Sequence, residues 1–332
     1  MGRIFVRGLD SATYGLDRVR RAQLAAPRVR GTDVVMATGK GAGYSSDEGD
    51  QAEVEWRLAP GDDPFLTQTL QVHLVKLPPG GQNQGHGHQN EAAFYITQGR
   101  GYEVHDGLRY DWQAGDLVSV HTDSVHQHFN PYDEPAEMIV FKAKCTWMFM
   151  GLLQQGRGGP IERPEEFGER FPWSSIWTPG VEERSKVFRS SQIPEELTPL
   201  GRVRMLNSPE QTDHRMFSTD VFSLTVPAAG HSGKHWKMAD EVLYVLDGSG
   251  YSLHWEVEAE IAEKYYARVA TTPTRHAFGP GDTVYVPQNT IAQHFAADGT
   301  PLRLLSAQNR VFKHLGYDNT HILEPASEYA AS

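Results

Sequence analysis

At 332 residues, with 39% hydrophobic and 10% aromatic content, the chain is long enough for two modest domains and too apolar for disorder. A formal net charge of −11 argues against nucleic acid or an anionic membrane as partner and leaves a small molecule or another protein. There is one cysteine, Cys145, and neither a secretory h-region nor an apolar run of transmembrane length, so a cytoplasmic protein without disulfides is expected.

Residues 1–65 read as an N-terminal arm with one short helix, Leu16 to Ala26, ended by Pro27. From 66 to 155, short runs rich in β-branched and aromatic residues are punctuated by Gly, Pro and Asp; Gln71 to Val75 and Phe94 to Thr97 are examples. This pattern predicts an all-β barrel or sandwich rather than βαβ units. The stretch 156–200, full of Pro, Gly, Glu and Arg, reads as a linker, and 201–325 as a second β domain.

The second domain repeats the first. HGHQNEAAFYITQGRGYEVHDG from His86 aligns without a gap with HWKMADEVLYVLDGSGYSLHWE from His235, at an offset of 149 residues (235 − 86). GDLVSVHTDSVHQHFN from Gly115 aligns with GDTVYVPQNTIAQHFA from Gly281, at an offset of 166 (281 − 115). The difference of 17 residues (166 − 149) falls in EVEAEIAEKYYARVATTPTRHAF, expected as a partly helical insertion between two strands.

Side chains two apart on a strand share a face, so His86 and His88 can project together into a barrel. His126 follows Gly115, Asp116 and an apolar run that carries it back beside them. Three neutral imidazoles suit a first-row transition metal and leave positions open for other ligands. An isolated histidine pair is more often structural; here the pair, the downstream histidine and the glycine spacing occur together. In the second copy His235 and Glu241 remain, but Lys237 and Ala292 replace the other two histidines, so no metal is expected there.

These residues resemble the two motifs of the cupin superfamily, G-x5-H-x-H-x3,4-E-x6-G and G-x5-P-x-G-x2-H-x3-N. Gly80, His86, His88 and Gly99 match the first; Gly115, His126 and Asn130 match the second. By alignment with Glu241, the usual glutamate position is Ala92; Glu91 is one residue out of step and becomes an extra ligand only through a bulge. A three-histidine site in the first of two barrels resembles the gentisate 1,2-dioxygenase group, which includes the salicylate and 1-hydroxy-2-naphthoate enzymes. Their metal residues read roughly HRHxxSAxRF and WHxHGN, against HGHQNEAAFY and VHQHFN here.

The resemblance implies two tandem double-stranded β-helix (jelly-roll) barrels that associate as a dimer or tetramer. It also implies Fe(II), or another first-row divalent ion, on His86, His88 and His126, acting with O2 on a small hydroxylated aromatic acid. His128 would shuttle a proton on the substrate hydroxyl, although His294 holds the equivalent place in the second copy, which leaves a structural role open. The family arginine that grips the substrate carboxylate falls at Phe94, so Arg109 or Arg100 is the candidate replacement. Phe94, Asn90, Tyr102 and Trp112 are the remaining candidate substrate contacts. Two other functions stay open: a metal-dependent isomerase, lyase or decarboxylase that needs no O2, and a non-catalytic bicupin that binds a small molecule.

Overall fold

The computed structural model describes residues 24–25, 27–31, 51–58, 69–152, 155–156, 158–208, 216–297 and 299–331. Strand β1 (Val29–Arg30) precedes the first barrel. That barrel contains β2 (Glu53–Leu58), β3 (Gln71–Leu77), β4 (His86–His88), β5 (Ala92–Gln98), β6 (Arg100–His105) and β7 (Leu108–Gln113). It continues with β8 (Asp116–Val120), β9 (Ser124–Phe129), β10 (Ala136–Lys142), β11 (Gln155–Gly156) and β12 (Val187–Arg189). These strands form two antiparallel sheets, ordered β12-β8-β5-β10-β3-β2 and β11-β4-β9-β6-β7.

The second barrel contains β13 (Glu196–Thr198), β14 (Gly201–Asn207), β15 (Thr219–Val226), β16 (Lys234–Lys237), β17 (Glu241–Asp247) and β18 (Gly250–Ile261). The remaining strands are β19 (Tyr265–Val269), β20 (Thr274–Phe278), β21 (Thr283–Val286), β22 (Thr290–Ala296), β23 (Leu302–Asn309) and β24 (His321–Glu324). Its sheets run β1-β21-β17-β23-β15-β14-β13 and β19-β18-β22-β16-β24, with β20 also on β18. The all-β, two-barrel architecture expected from the repeat is what the chain adopts, with only short helices beside it.

Alternation along the strands decides what faces where. On β5 and β10, Ala92, Phe94, Ile96, Met138 and Val140 point into the first barrel, where Val118, Val120 and Trp112 join them. The intervening Ala93, Tyr95, Ile139 and Phe141 pack against Leu206, Val221, Val242, Tyr244, Tyr285 and Leu305 of the second barrel. The sheet is therefore apolar on both faces, which explains uninterrupted runs such as Met138 to Phe141. Gly101 and Gly250 hold one position in the two copies for one reason. A Cβ on either would lie 2.3 Å from the Phe129 carbonyl oxygen or 2.0 Å from that of Phe295, so only glycine lets β6 and β18 approach their neighbours.

Three expectations change. The insertion of the second copy is a β-ribbon, with Val257 to Ile261 of β18 paired to Tyr265 to Val269 of β19. Its Ala, Glu and Lys content suggests a helix, but Glu256, Glu258 and Glu260 alternate with Val257, Ala259 and Ile261, which is the period of a strand. The arm is not a separate element: β2 pairs with β3 of the first barrel and β1 with β21 of the second. The stretch read as a linker supplies an edge strand to each barrel, β12 on β8 and β13 on β14. The helix predicted from Leu16 lies largely outside the described residues; Leu24 and Ala25 are helical. Among the described residues no helix is long and apolar enough to cross a membrane.

Candidate metal centre

The sheet carrying β4, β9, β6 and β7 builds the site. His86 lies directly across the β4–β9 ladder from His126, and His88 across from Ser124. Inward parity on both strands brings the three imidazoles together, with ring centroids 4.6 Å apart for His86 and His126, 5.4 Å for His86 and His88, and 5.1 Å for His88 and His126. One ring nitrogen from each lies within 4.8 Å of the others.

Local backbone sets the tautomers. His86 Nδ1 bonds the Gln84 carbonyl at 2.9 Å and His88 Nδ1 that of Asn90 at 2.6 Å. A carbonyl only accepts, so each Nδ1 carries the proton and each Nε2 presents a lone pair inward. His88 Nε2 and His126 Nε2 face one another at 3.2 Å. Without a cation His126 Nε2 must donate to His88 Nε2; with the His126 proton on Nδ1 instead, both Nε2 lone pairs are open to a divalent ion. Burial, reinforced by Lys142, lowers the His86 pKa to about 4. Burial likewise holds His88 and His126 well below the ordinary histidine range. All three are neutral at pH 7 and need release no proton to bind a metal. The donor set therefore fits a first-row transition ion.

His128 follows His126 on the inward face of β9 and is fully buried. Its ring centroid lies 5.1 Å from that of His126, 4.6 Å from Phe94 and 6.4 Å from Trp112. Burial brings its pKa down to about 3, so it is neutral at pH 7. Neither of its nitrogens has a hydrogen-bond partner among the described residues. Phe94 and Trp112 thus stand beside the histidines.

The other predicted contacts fall elsewhere. Asn90 is buried, and its carbonyl oxygen orients His88. Arg109 and Tyr102 are on the outer face: the guanidinium pairs with Asp111 at 2.7 Å and stacks on the Tyr102 ring, which stacks on Phe129. The β6–β7 register forces this, because Val104 opposite Arg109 and Tyr102 opposite Asp111 share the outward parity. Arg100 likewise lies over the Tyr132 ring, 4.1 Å from its centroid. Glu91 does not join the histidines either; its Oε2 accepts the backbone N–H groups of Phe217 and Ser218 of the second barrel, at 2.8 and 2.7 Å.

Two interior groups escaped the sequence reading. Glu103 on β6 lies 3.5 Å from His105 Nδ1 and 4.0 Å from His128 Nε2, and burial raises its pKa. Lys142, at the end of β10, is buried, and burial with a smaller push from Lys144 brings its ammonium down to about 7. The strand alternation of Gly101, Glu103 and His105 was the available signal for Glu103.

In the second barrel His235, Glu241 and His294 come within 4.8 Å of one another, so His294 partly makes good the loss at Ala292. Lys237 nevertheless occupies the carboxylate, with Nζ 2.8 Å from Glu241 Oε2. Burial pushes the Glu241 carboxyl up, but Lys237 and His235 outweigh it and hold the group well below its ordinary range. Replacing Lys237 with histidine should therefore raise metal content by one equivalent, read by elemental analysis after reconstitution. Unchanged content would show that the ammonium is not what keeps a cation out.

Residues 73–142 match the model of the cupin domain family. The salicylate 1,2-dioxygenase of Pseudaminobacter salicylatoxidans has a similar structure, with a TM-score of 0.65 over 90% of this chain and 88% of that one, at 15% identity. The chain has the fold of a bicupin. The gentisate adduct of the same dioxygenase is similar at a TM-score of 0.61 and 15% identity, over 94% of this chain and 83% of that one. A variant of oxalate decarboxylase from Bacillus subtilis is similar at a TM-score of 0.58 and 13% identity, over 90% and 80%. At such identities the likeness is one of fold. No curated protein sequence matches this chain.

Proposed function

We propose that the first barrel is the catalytic centre of an Fe(II)-dependent dioxygenase that opens the ring of a small hydroxylated aromatic acid, in a homo-oligomer. The observation that carries this reading is a set of three neutral imidazoles, His86, His88 and His126, with the Glu103 carboxylate grouped instead with His126 and His128 beside it. Neutral ligands leave a divalent ion its full charge, which favours an anionic chelating substrate over water. Fe(II) would supply the coordination positions and the electron transfer that O2 chemistry needs.

The protein's own part is positioning and proton transfer. Phe94 and Trp112 offer a flat, apolar wall beside the histidines, suited to an aromatic ring. His128, which has no hydrogen-bond partner among the described residues, would take the proton of the substrate hydroxyl, with the Glu103 carboxylate 4.0 Å from its Nε2 to stabilise the imidazolium. Glu103, next to His128, is the group to which that proton can pass. Both atoms of O2 enter the ring-opened product, so no external reductant is consumed.

The test is O2 uptake by Fe(II)-reconstituted protein with gentisate, salicylate and 1-hydroxy-2-naphthoate. One O2 is expected per substrate, with loss of aromatic absorbance. The His128→Ala variant should keep its iron and lose about 10²- to 10⁴-fold in kcat. Turnover without O2, on a redox-inert metal, would instead identify a metal-dependent lyase, isomerase or decarboxylase.

A further inference from the structure

Strand β10 ends on a lysine that faces inward. Met138 and Val140 point into the first barrel while Ile139 and Phe141 point at the second, so alternation sends Lys142 inward. The side chain is only 6% exposed. Its Nζ lies 6.0 Å from the Phe94 ring centroid, and that ring is 4.6 Å from His128 and 5.8 Å from His126. The Lys142 charge is felt at His86, His88, His126 and His128 alike.

Among the described residues no carboxylate of the first barrel pairs with this ammonium. Among the described residues nothing hydrogen-bonds or ion-pairs with Lys142 Nζ. Glu103 sits with His105 and His128 on the other sheet, and Glu91 is turned to Phe217 and Ser218. Neighbouring Lys144 adds a like charge, although its own Nζ is engaged by Gln155 at 2.9 Å. A buried ammonium without a counter-ion is costly, and an anion delivered beside Lys142 would offset that cost.

The second barrel provides an internal control. It also has a buried lysine, Lys237, and there Glu241 supplies a carboxylate at 2.8 Å. In the first barrel the position of Glu241 is Ala92, whose small side chain adds neither charge nor bulk. The ladders give the counterpart of Lys142: Phe141 pairs with Ala93 as Ala307 pairs with Val242, so Lys142 corresponds to Gln308. The lysine and the missing glutamate thus face the same interior from adjacent strands.

From the buried, uncompensated Lys142 beside Phe94 and the histidine cluster, we infer that Lys142 is the anchor for a carboxylate carried by the substrate. This rests on reading the same site as a metal centre for a small organic acid, and it makes Lys142, rather than Arg109 or Arg100, the residue that selects for that charge. Phe94 then contributes an apolar face to the ring while Lys142, beyond it, receives the acid group. A neutral analogue of the same shape leaves the ammonium unpaired and binds weakly.

The probe is salicylate, compared with its uncharged analogue salicylamide. Each is titrated calorimetrically into Zn(II)-reconstituted protein, which binds without turnover. Wild type should prefer salicylate by at least about tenfold. Lys142→Met should keep its metal, lose about 10- to 100-fold in salicylate affinity and bind salicylamide as before, while Lys142→Arg keeps part of the preference. Because the substitution removes a buried charge, Lys142→Met should melt no lower than wild type, and Lys142→Gln provides a second uncharged variant.

Undiminished salicylate binding by metal-loaded Lys142→Met and Lys142→Gln would overturn the assignment, as would a wild type that does not distinguish acid from amide. The dioxygenase reading fails separately: salicylate binding that depends on Lys142, with no O2 uptake on Fe(II) protein, would retain the anchor and reject the reaction.

Discussion

The His126→Ala variant is expected to lose both its metal and its turnover while remaining folded. His126 is one of three donors, it faces His88 Nε2 at 3.2 Å, and it lies across the ladder from His86. Without it, two imidazoles remain, and two neutral monodentate ligands do not hold a divalent ion against water and buffer. Removing even a hydrogen-bond partner of a metal ligand costs about 10- to 100-fold in affinity, so losing the ligand itself should exceed that range. The fold should survive, because a buried imidazole whose Nδ1 has no partner contributes little that alanine cannot replace. The check is iron per chain by elemental analysis beside circular dichroism and O2 uptake. Iron retained at the wild-type level would move the metal off this triad.

Glu91→Ala should have the opposite profile, with metal content unchanged and stability sharply reduced. One carboxylate oxygen of Glu91 accepts two backbone N–H groups, from Phe217 and Ser218, where the second barrel meets the first. Alanine leaves both donors without their partner in a site where Glu91 itself is only 1% exposed. Each unsatisfied buried donor costs about 1–3 kcal/mol, so a loss of roughly 2–5 kcal/mol is expected in urea denaturation. Glu91→Gln keeps an accepting oxygen and should lose less. If Glu91→Ala instead loses metal at unchanged stability, Glu91 is a ligand and the inter-barrel contact is secondary.

The legible part of this protein is whatever strand alternation and glycine punctuation encode. The repeat exposed both barrels, and the two-residue spacing of His86 and His88 placed them on one face before any coordinates. Lys142 was not legible because β10 is buried on both faces: a run such as Met138 to Phe141 carries no parity, so nothing shows which way its last residue points. Arg109 and Tyr102 misled for a related reason. Charged residues are expected outside and aromatic ones inside, yet on β6 the acid Glu103 is the inward residue and Tyr102 the outward one. Glu91 was open between ligand and bystander because its true partners, the N–H groups of Phe217 and Ser218, are 126 and 127 residues away in the chain. Only the packing of one barrel on the other could supply that information.

That packing also sets how the molecule comes apart. The cluster that includes Val72, Leu74, Ile139 and Phe141 on one side and Val221, Val242, Tyr285 and Leu305 on the other is a single apolar core contributed by both halves. Asn309 of the second barrel donates to the Thr69 carbonyl at 2.8 Å, and Thr69 in turn bonds Asp240. Opening either barrel would bare the sheet face of its neighbour, so the two halves should melt as one cooperative unit with a single free energy of unfolding between them. The duplicated copy without the three-histidine set is then no passenger, because it forms half of the shared core on which the other copy's geometry depends.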